Sequence, residues 1–248
     1  MAKYNEARNI IVGASPLFLS TTDSTQGSDY SADLVPNDAD LGGVAFANGV
    51  SYTKTLNDAY DSNSATAKWR NVGYTNNGLQ ITYNPTYDSV TVDQLLDTAK
   101  LFKSAMEVMI ATEMSEGTLA NILVVFGQGN DTLTSTGSGT GATDTLGLEA
   151  GALGVQPTER QLVAVGNAPT TADDGTALAR TERIYYARRV LSVQQSQFSL
   201  ARTTPTTFPV TFRLLPKSQS SNTVGTPAAY KDYTGKEYGV IIDRVLEV

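Results

Sequence analysis

Gly78-Leu79-Gln80-Ile81-Thr82-Tyr83-Asn84-Pro85, continued through Thr86-Tyr87-Asp88-Ser89 into Val90-Thr91-Val92-Asp93, is the stretch whose reading decides the fold class. Leu79, Ile81 and Tyr83 alternate with Gln80, Thr82 and Asn84, and Val90 and Val92 alternate with Thr91 and Asp93. A period of two puts one set on each face of a strand. Pro85 interrupts the run, which predicts a strand, a turn or bulge, and a second strand. Further along, a turn over residues 97–100 leads into another alternating segment. There Phe102, Ser104, Met106, Val108 and Ile110 share one face, and Lys103, Ala105, Glu107, Met109, Ala111 and Glu113 share the other. Ala and Met are good helix formers, so a helix over Leu95 to Met114 is the competing reading.

The same alternation recurs outward from this centre. An extended segment is expected at Ile10 to Leu19, and strands at Val44 to Thr53, Gln161 to Val165, Arg183 to Val193, Phe208 to Leu215 and Tyr238 to Val245. Pro209 assigns its strand to an edge or a bulge. One helix stands out. Ser115 can cap it, Leu119, Ile122, Leu123 and Phe126 form a stripe at helical spacing, and Gly127 sits where a left-handed residue ends a helix. It should run about three turns and lie on a sheet, being too short to persist alone. Residues 20–40 and 54–68 are polar and aperiodic, and residues 128–147 are rich in Gly, Thr and Ser; all three read as long loops or arms, the last as flexible. The expectation is a single domain over residues 1–248, mainly β, with one short flanking helix.

Composition removes whole classes of chemistry. The 248 residues include no His and no Cys, so Ser-His-Asp and Cys-His catalysis, His/Cys zinc sites and disulfides are excluded. Against 25 Asp and Glu stand 18 Lys and Arg, a formal charge of −7, which disfavours a protein that grips phosphate. No apolar run reaches the roughly 20 residues of a membrane-spanning helix, and the polar N-terminus does not read as a signal peptide.

Several motifs weaken on inspection. The glycines of Gly137-Ser138-Gly139-Thr140-Gly141-Ala142 fit a dinucleotide fingerprint loosely, but no strand precedes them and no helix follows. Gly127 to Leu133 resembles one calcium-binding nonapeptide without the tandem copy that would close an ion site. Asp38-Ala39-Asp40 opens like a calcium loop, yet Gly49 occupies the closing glutamate position. Carboxylate pairs chosen from Asp88, Asp93, Glu107 and Glu113 are formal candidates for glycoside hydrolysis, although solvated strand faces explain them as well. The arginines Arg183, Arg188, Arg189 and Arg213 belong to the one basic stretch, and beside an acidic remainder they are candidates for ion pairs between copies.

The order of segments resembles the major tail tube protein of long non-contractile-tailed bacteriophages. The resemblance is carried by Gly78 to Tyr83, Val90-Thr91-Val92-Asp93-Gln94, the strand Met106 to Thr112 leading through Glu113-Met114-Ser115-Glu116-Gly117-Thr118 into Leu119-Ala120-Asn121-Ile122-Leu123, and Gly127. Phe208 to Pro216 and Tyr238 to Asp243 complete it. It implies a β-sandwich or half-barrel, homohexameric rings stacked into a hollow tube that conducts the genome, and a place in the virion tail after assembly in the host cytoplasm. It implies as partners other copies of the chain, a tape-measure protein, a tail terminator and tail-tip or baseplate proteins, with DNA passing without tight binding, no catalytic residues, no cofactor and no metal. The candidates for the lumen wall are Asp88, Asp93, Lys103, Glu107 and Glu113. Rival readings are a tail terminator or capsid decoration subunit, or a carbohydrate-binding or carbohydrate-active β-sandwich.

Overall fold

The computed structural model describes residues 15–25, 69–91, 97–137, 139–150, 157–168, 180–193, 197–200, 202–203, 205–217, 219–221, 230–232 and 235–246. Strands dominate: β1 (Leu17–Ser20), β2 (Trp69–Asn71), β3 (Thr75–Thr91), β4 (Thr98–Met114), β5 (Leu133–Thr136), β6 (Thr143–Leu146), β7 (Arg160–Asn167), β8 (Arg180–Ser192), β9 (Phe208–Leu214), β10 (Gln219–Ser221), β11 (Tyr230–Asp232) and β12 (Gly239–Leu246). The helix is α1 (Leu119–Val125). Among the described residues the protein is mainly β with one short helix, as the alternation predicts.

Eight strands form one antiparallel sheet in the order β2-β1-β7-β8-β9-β4-β3, with β12 also paired to β8. The period of two explains its centre. Leu17 and Leu19 of β1 and Leu162 and Ala164 of β7 enter one apolar cluster, while Phe18, Val163 and Val165 between them enter a second cluster with Trp69, Ile184 and Tyr186. Both faces of this half are therefore buried, and the runs Leu17-Phe18-Leu19 and Leu162-Val163-Ala164-Val165 are apolar at consecutive positions. The first cluster is capped by α1, and Leu133 and Leu146 of the β5–β6 hairpin pack against it.

α1 is shorter than expected, seven residues, and starts one turn later. Thr118 caps it, accepting a hydrogen bond from the Asn121 N–H at 3.2 Å, where Ser115 was the expected cap. The helix lies between the sheet and the β5–β6 hairpin, so its buried side is Asn121, Leu123, Val124 and Val125, and Phe126 from the expected stripe is 40% exposed. Gly127, at φ 67°, ends it in a paired closure: Gln128 N–H donates to Leu123 O and Gly127 N–H to Val124 O, both at 3.0 Å. Buried Asn121 locks the helix to the sheet, donating to Val72 O at 2.8 Å and Glu116 O at 2.9 Å and accepting from Arg70 Nη1 at 2.6 Å. Burial, with Arg160 nearby, lowers the Arg70 pKa to about 10.

Four further expectations are corrected. The stretch 128–147 contains a 3₁₀ turn at Asn130–Thr132 and the β5–β6 hairpin, because Leu133 and Leu146 have a core to face and the glycines between serve as its turn. The front of the polar stretch 20–40 is not an arm: Asp23 is fully buried, pairs with Arg160 Nη2 at 2.8 Å and accepts from the Asn130 N–H at 2.7 Å. Residues 26–40, the strand expected at Val44 to Thr53 and the loop 54–68 lie outside the described residues. Pro85 does not break its strand, since β3 runs unbroken for 17 residues at the edge of the sheet, where a missing N–H on one side is tolerated. The turn expected over 97–100 gives way to strand from Thr98, which already pairs with Thr91.

Candidate functional site

β3 and β4 are paired along almost their whole length, but β9 accompanies β4 only from Met109 to Met114. From Val108 to Thr98 the hairpin continues without a third strand among the described residues, a two-stranded ribbon of about 33 Å at roughly 3.3 Å per residue. Two-stranded ribbons are marginal in water, and an unpaired edge of this length invites another chain.

The register of the ribbon decides what each face carries. Thr86 pairs with Ala105 but Tyr87 pairs with Lys103, so Ser104 is bulged and the alternation on β4 inverts beyond it. One face consequently bears Ile81, Tyr83, Pro85 and Tyr87 opposite Ile110, Val108, Met106 and Lys103, then Ser89 opposite Leu101. It is continuous with the core at buried Val108 and Ile110 and ends in solvent, with Tyr83 62%, Tyr87 58% and Leu101 64% exposed. The other face carries Thr82, Asn84, Thr86 and Asp88 on β3, and Met109, Glu107, Ala105, Phe102 and Lys100 on β4.

The expected lumen residues separate accordingly. Asp88, Glu107 and Glu113 share the polar face, where Glu113 accepts from Asn76 Nδ2 at 3.3 Å and Glu107 faces Arg213 Nη1 at 3.6 Å. Lys103 does not join them: the bulge at Ser104 turns it to the apolar face, where Nζ lies 3.7 Å from Met106 Sδ, and moves Phe102 to the polar one. Asp93 lies outside the described residues. Among the described residues the polar face thus holds three carboxylates against Lys100 and Arg213, a far weaker acidity than the charge of the whole chain suggests.

Each of the four arginines expected between copies has a partner within its own chain. Arg183 of β8 stands opposite Asp243 of β12 in register and binds it through Nε and Nη2 at 2.6 and 2.7 Å. That pairing holds the Asp243 carboxyl below its ordinary value and raises the guanidinium pKa. Arg189 grips both oxygens of Glu159 at 2.6 and 2.7 Å and donates to Pro216 O at 3.0 Å. Arg188 is buried, donates to Lys236 O at 3.2 Å and lies 5.2 Å from the Tyr186 ring centre. The basic stretch is largely the internal fastening of β7, β8 and β12.

Spacing also weighs on the hydrolase reading. Glu107 and Glu113, six residues apart on one strand face, are separated by about 20 Å along the strand, well beyond the roughly 5–9.5 Å over which two carboxyls cooperate on a glycosidic bond. Asp88 stands opposite Phe102, five residues from Glu107, or about 16 Å. Among the described residues, no three His, Cys, Asp or Glu side chains gather into a metal-binding group. No helix among them is long and apolar enough to cross a membrane.

Composition-led reasoning passed over the aromatic and aliphatic residues of the ribbon, Tyr83, Tyr87, Leu101 and Phe102. It also passed over a groove beneath them. β9 stops at Leu214 and β12 takes its place beside β8 from Ala187 onward, so β12 and the outer part of β4 flank a gap of about 720 Å³. Ile81, Tyr83, Met106 and Val108 line one wall, and Tyr185, Tyr238, Val240 and Ile241 line the other. The Tyr238 hydroxyl bridges it, donating to Met106 O at 3.4 Å. The legible signal was length: two consecutive extended runs, each a strand of 17 residues, exceed what a small sheet uses. No family model and no curated protein matches the chain.

Proposed function

We propose that this chain is a self-assembling structural subunit, the tail tube protein its segment order resembles, whose hexameric rings stack into a hollow conduit for a phage genome. The observation that carries the reading is the outer part of the β3–β4 ribbon, which has no third strand beside it among the described residues and exposes Tyr83, Tyr87 and Leu101. Pairing such ribbons between copies closes their edges into a barrel and buries their apolar face in one step. The polar face, with Asp88, Glu107 and Glu113, then lines the bore. Its mild excess of carboxylates gives phosphate no multivalent cation surface to neutralise, so DNA slides without being held. A tape-measure protein inside the tube, a terminator and a tail-tip complex at its ends complete the assembly.

Electron microscopy of the purified full chain tests this. Long hollow tubes are the expected result. Single rings that never stack favour a terminator or decoration subunit, and a chain that stays monomeric at every concentration overturns the reading altogether.

A further inference from the structure

We infer that Asn77 is a modification site at which the chain deamidates itself: the backbone nitrogen of Gly78 closes on the Asn77 side chain and leaves isoaspartate and aspartate in its place. The inference is independent of the assembly reading. Asn77 and Gly78 stand where the ladder between β3 and β4 skips. Asn76 pairs with Glu113 and Gln80 with Ala111, so Asn77, Gly78 and Leu79 together face only Thr112. Both members of the pair have left-handed backbones, φ 60° at Asn77 and 68° at Gly78, and among the described residues Asn77 is the one residue with a Cβ to do so.

Cyclisation has three requirements, and the bulge meets each. The attacking nitrogen must not be screened by the side chain that follows it: Gly78 has none, and nothing lies within 4 Å of where its Cβ would stand. The amide must be free to turn, and Asn77 is exposed, with no hydrogen bond to hold its side chain among the described residues. Water must reach the ring, and the pair opens on a cavity of about 290 Å³ shared with Gln80, Thr112 and Glu113, against about 30 Å³ for each water in the liquid. The Gly78 nitrogen bonds to Asn77 Cγ and gives up its proton as the side-chain nitrogen departs as ammonia, leaving a five-membered succinimide. Water then adds to one of the two ring carbonyls and breaks its bond to the ring nitrogen. Opening at the main-chain carbonyl gives isoaspartate, and opening at the side-chain carbonyl gives aspartate, so the net reaction consumes one water and releases one ammonia. Either product adds a negative charge beside Glu113, and isoaspartate also lengthens the backbone of β3 by a methylene.

The neighbouring asparagines each miss a requirement. Asn71 Oδ1 accepts from the Gly73 N–H at 2.9 Å, Asn76 Nδ2 donates to Glu113 at 3.3 Å, and Asn121 is bonded at both amide atoms. Each of the three is followed by a residue with a Cβ. Asn84 precedes Pro85, whose nitrogen has no proton to give up.

The purified full chain is incubated in mildly alkaline buffer, folded and in parallel in urea, and cut with trypsin. The peptide from Asn71 to Lys100 carries Asn71, Asn76, Asn77 and Asn84 and so holds its own comparison. Fragmentation mass spectrometry reads the gain of about one mass unit at each, and a protein isoaspartate methyltransferase counts the isoaspartate. In the folded chain Asn77 should convert about tenfold faster than the other three, with isoaspartate in excess. Conversion at Asn77 no faster than at Asn76, or seen only in urea, overturns the inference. Gly78→Ala, checked for folding by circular dichroism, should slow conversion about tenfold, and an unchanged rate would mean that water hydrolyses the amide directly, which overturns the cyclisation. Asn77→Gln, which has to close a six-membered ring, tests the assignment without touching the glycine. The isoaspartate signal of this peptide should drop to background, and a signal that persists in full overturns the assignment to Asn77.

Discussion

The half of the sheet built from β1, β2, β7 and β8 and the ribbon of β3 and β4 are written in the same period-two code, yet they meet opposite fates. In the first, both faces of the strands are buried: Leu17, Phe18 and Leu19 in succession are fully covered, and so are Leu162, Val163 and Ala164. In the second, no residue from Thr98 to Ala105 escapes solvent, and Tyr83, Tyr87, Leu101 and Phe102 are left open. Alternation says which residues share a face. It does not say whether the chain itself covers that face. The contrast assigns stability to one region and association to the other, and variants in each should behave differently.

The largest effect is expected where the buried half is fastened by charge. Asp23 and Arg160 are both buried, and Arg160 Nη2 also donates to Gln128 O at 2.8 Å, tying the start of the chain to the segment after α1. Removing one partner of a buried pair strands the other charge, so Asp23→Ala should cost about 3–5 kcal/mol in urea unfolding. A cost below about 1 kcal/mol would mean this fastening is ornamental and the contrast overstated. Asn121→Ala comes next, at about 2–3 kcal/mol by the same measurement, because it leaves Val72 O, Glu116 O and part of the Arg70 guanidinium without their bonds. Gly127→Ala forces a Cβ into φ 67° and should cost about 1–2 kcal/mol, lowering the melting temperature without altering association.

Much of this buried half was legible in the residues. The existence of β7, β8, β9 and β12 and the role of Gly127 follow from periodicity and from the conformational demands of a helix end, whereas α1 forms near the expected place with another cap and another buried face. What the residues do not declare are events that shift the count by one. Ser104 is an ordinary serine in an alternating run, and only its pairing reveals it as the bulge that sends Lys103 to the apolar face and Phe102 to the polar one. Asp23 looked like loop because its partner Arg160 is 137 residues away, and sequence-local reasoning has no access to such a distance. The fate of the arginines was hidden for the same reason, since Arg183 and Asp243 meet only through the β8–β12 register.

A smaller effect sits at the boundary between the two regions. Asp243 keeps its carboxyl ionised by bonding to Arg183, so its folded pKa lies below the ordinary 3.8. The unfolded chain then binds more protons in the interval between the two values, and the contribution to stability is complete above 3.8 and lost as pH falls through the folded value. The pair is partly exposed, with side chains 24% and 51% accessible, so no more than about 1 kcal/mol is at stake. Asp243→Asn should remove that much at neutral pH and flatten the acid limb of the stability profile below pH 3.8; an unchanged limb would show that other carboxylates control it.

The smallest expected change in stability is also the one that separates the regions most sharply. Tyr87→Ser and Leu101→Ser replace exposed apolar side chains on a ribbon with no third strand among the described residues, so each should alter the unfolding free energy of the monomer by no more than about 0.5 kcal/mol. The same side chains buried between copies are worth about 1.5–3 kcal/mol apiece, enough for a tenfold or greater loss of association per contact. Sedimentation of the double variant should therefore show a folded chain that no longer assembles, at concentrations where the parent chain does. If it unfolds more easily instead, the ribbon is held within its own monomer, and the division between a self-sufficient half and a half completed by its neighbours fails. If it folds and assembles as before, the exposed face is not the one that neighbours cover, and the polar face with Glu107, Arg213 and Glu113 becomes the surface to alter next.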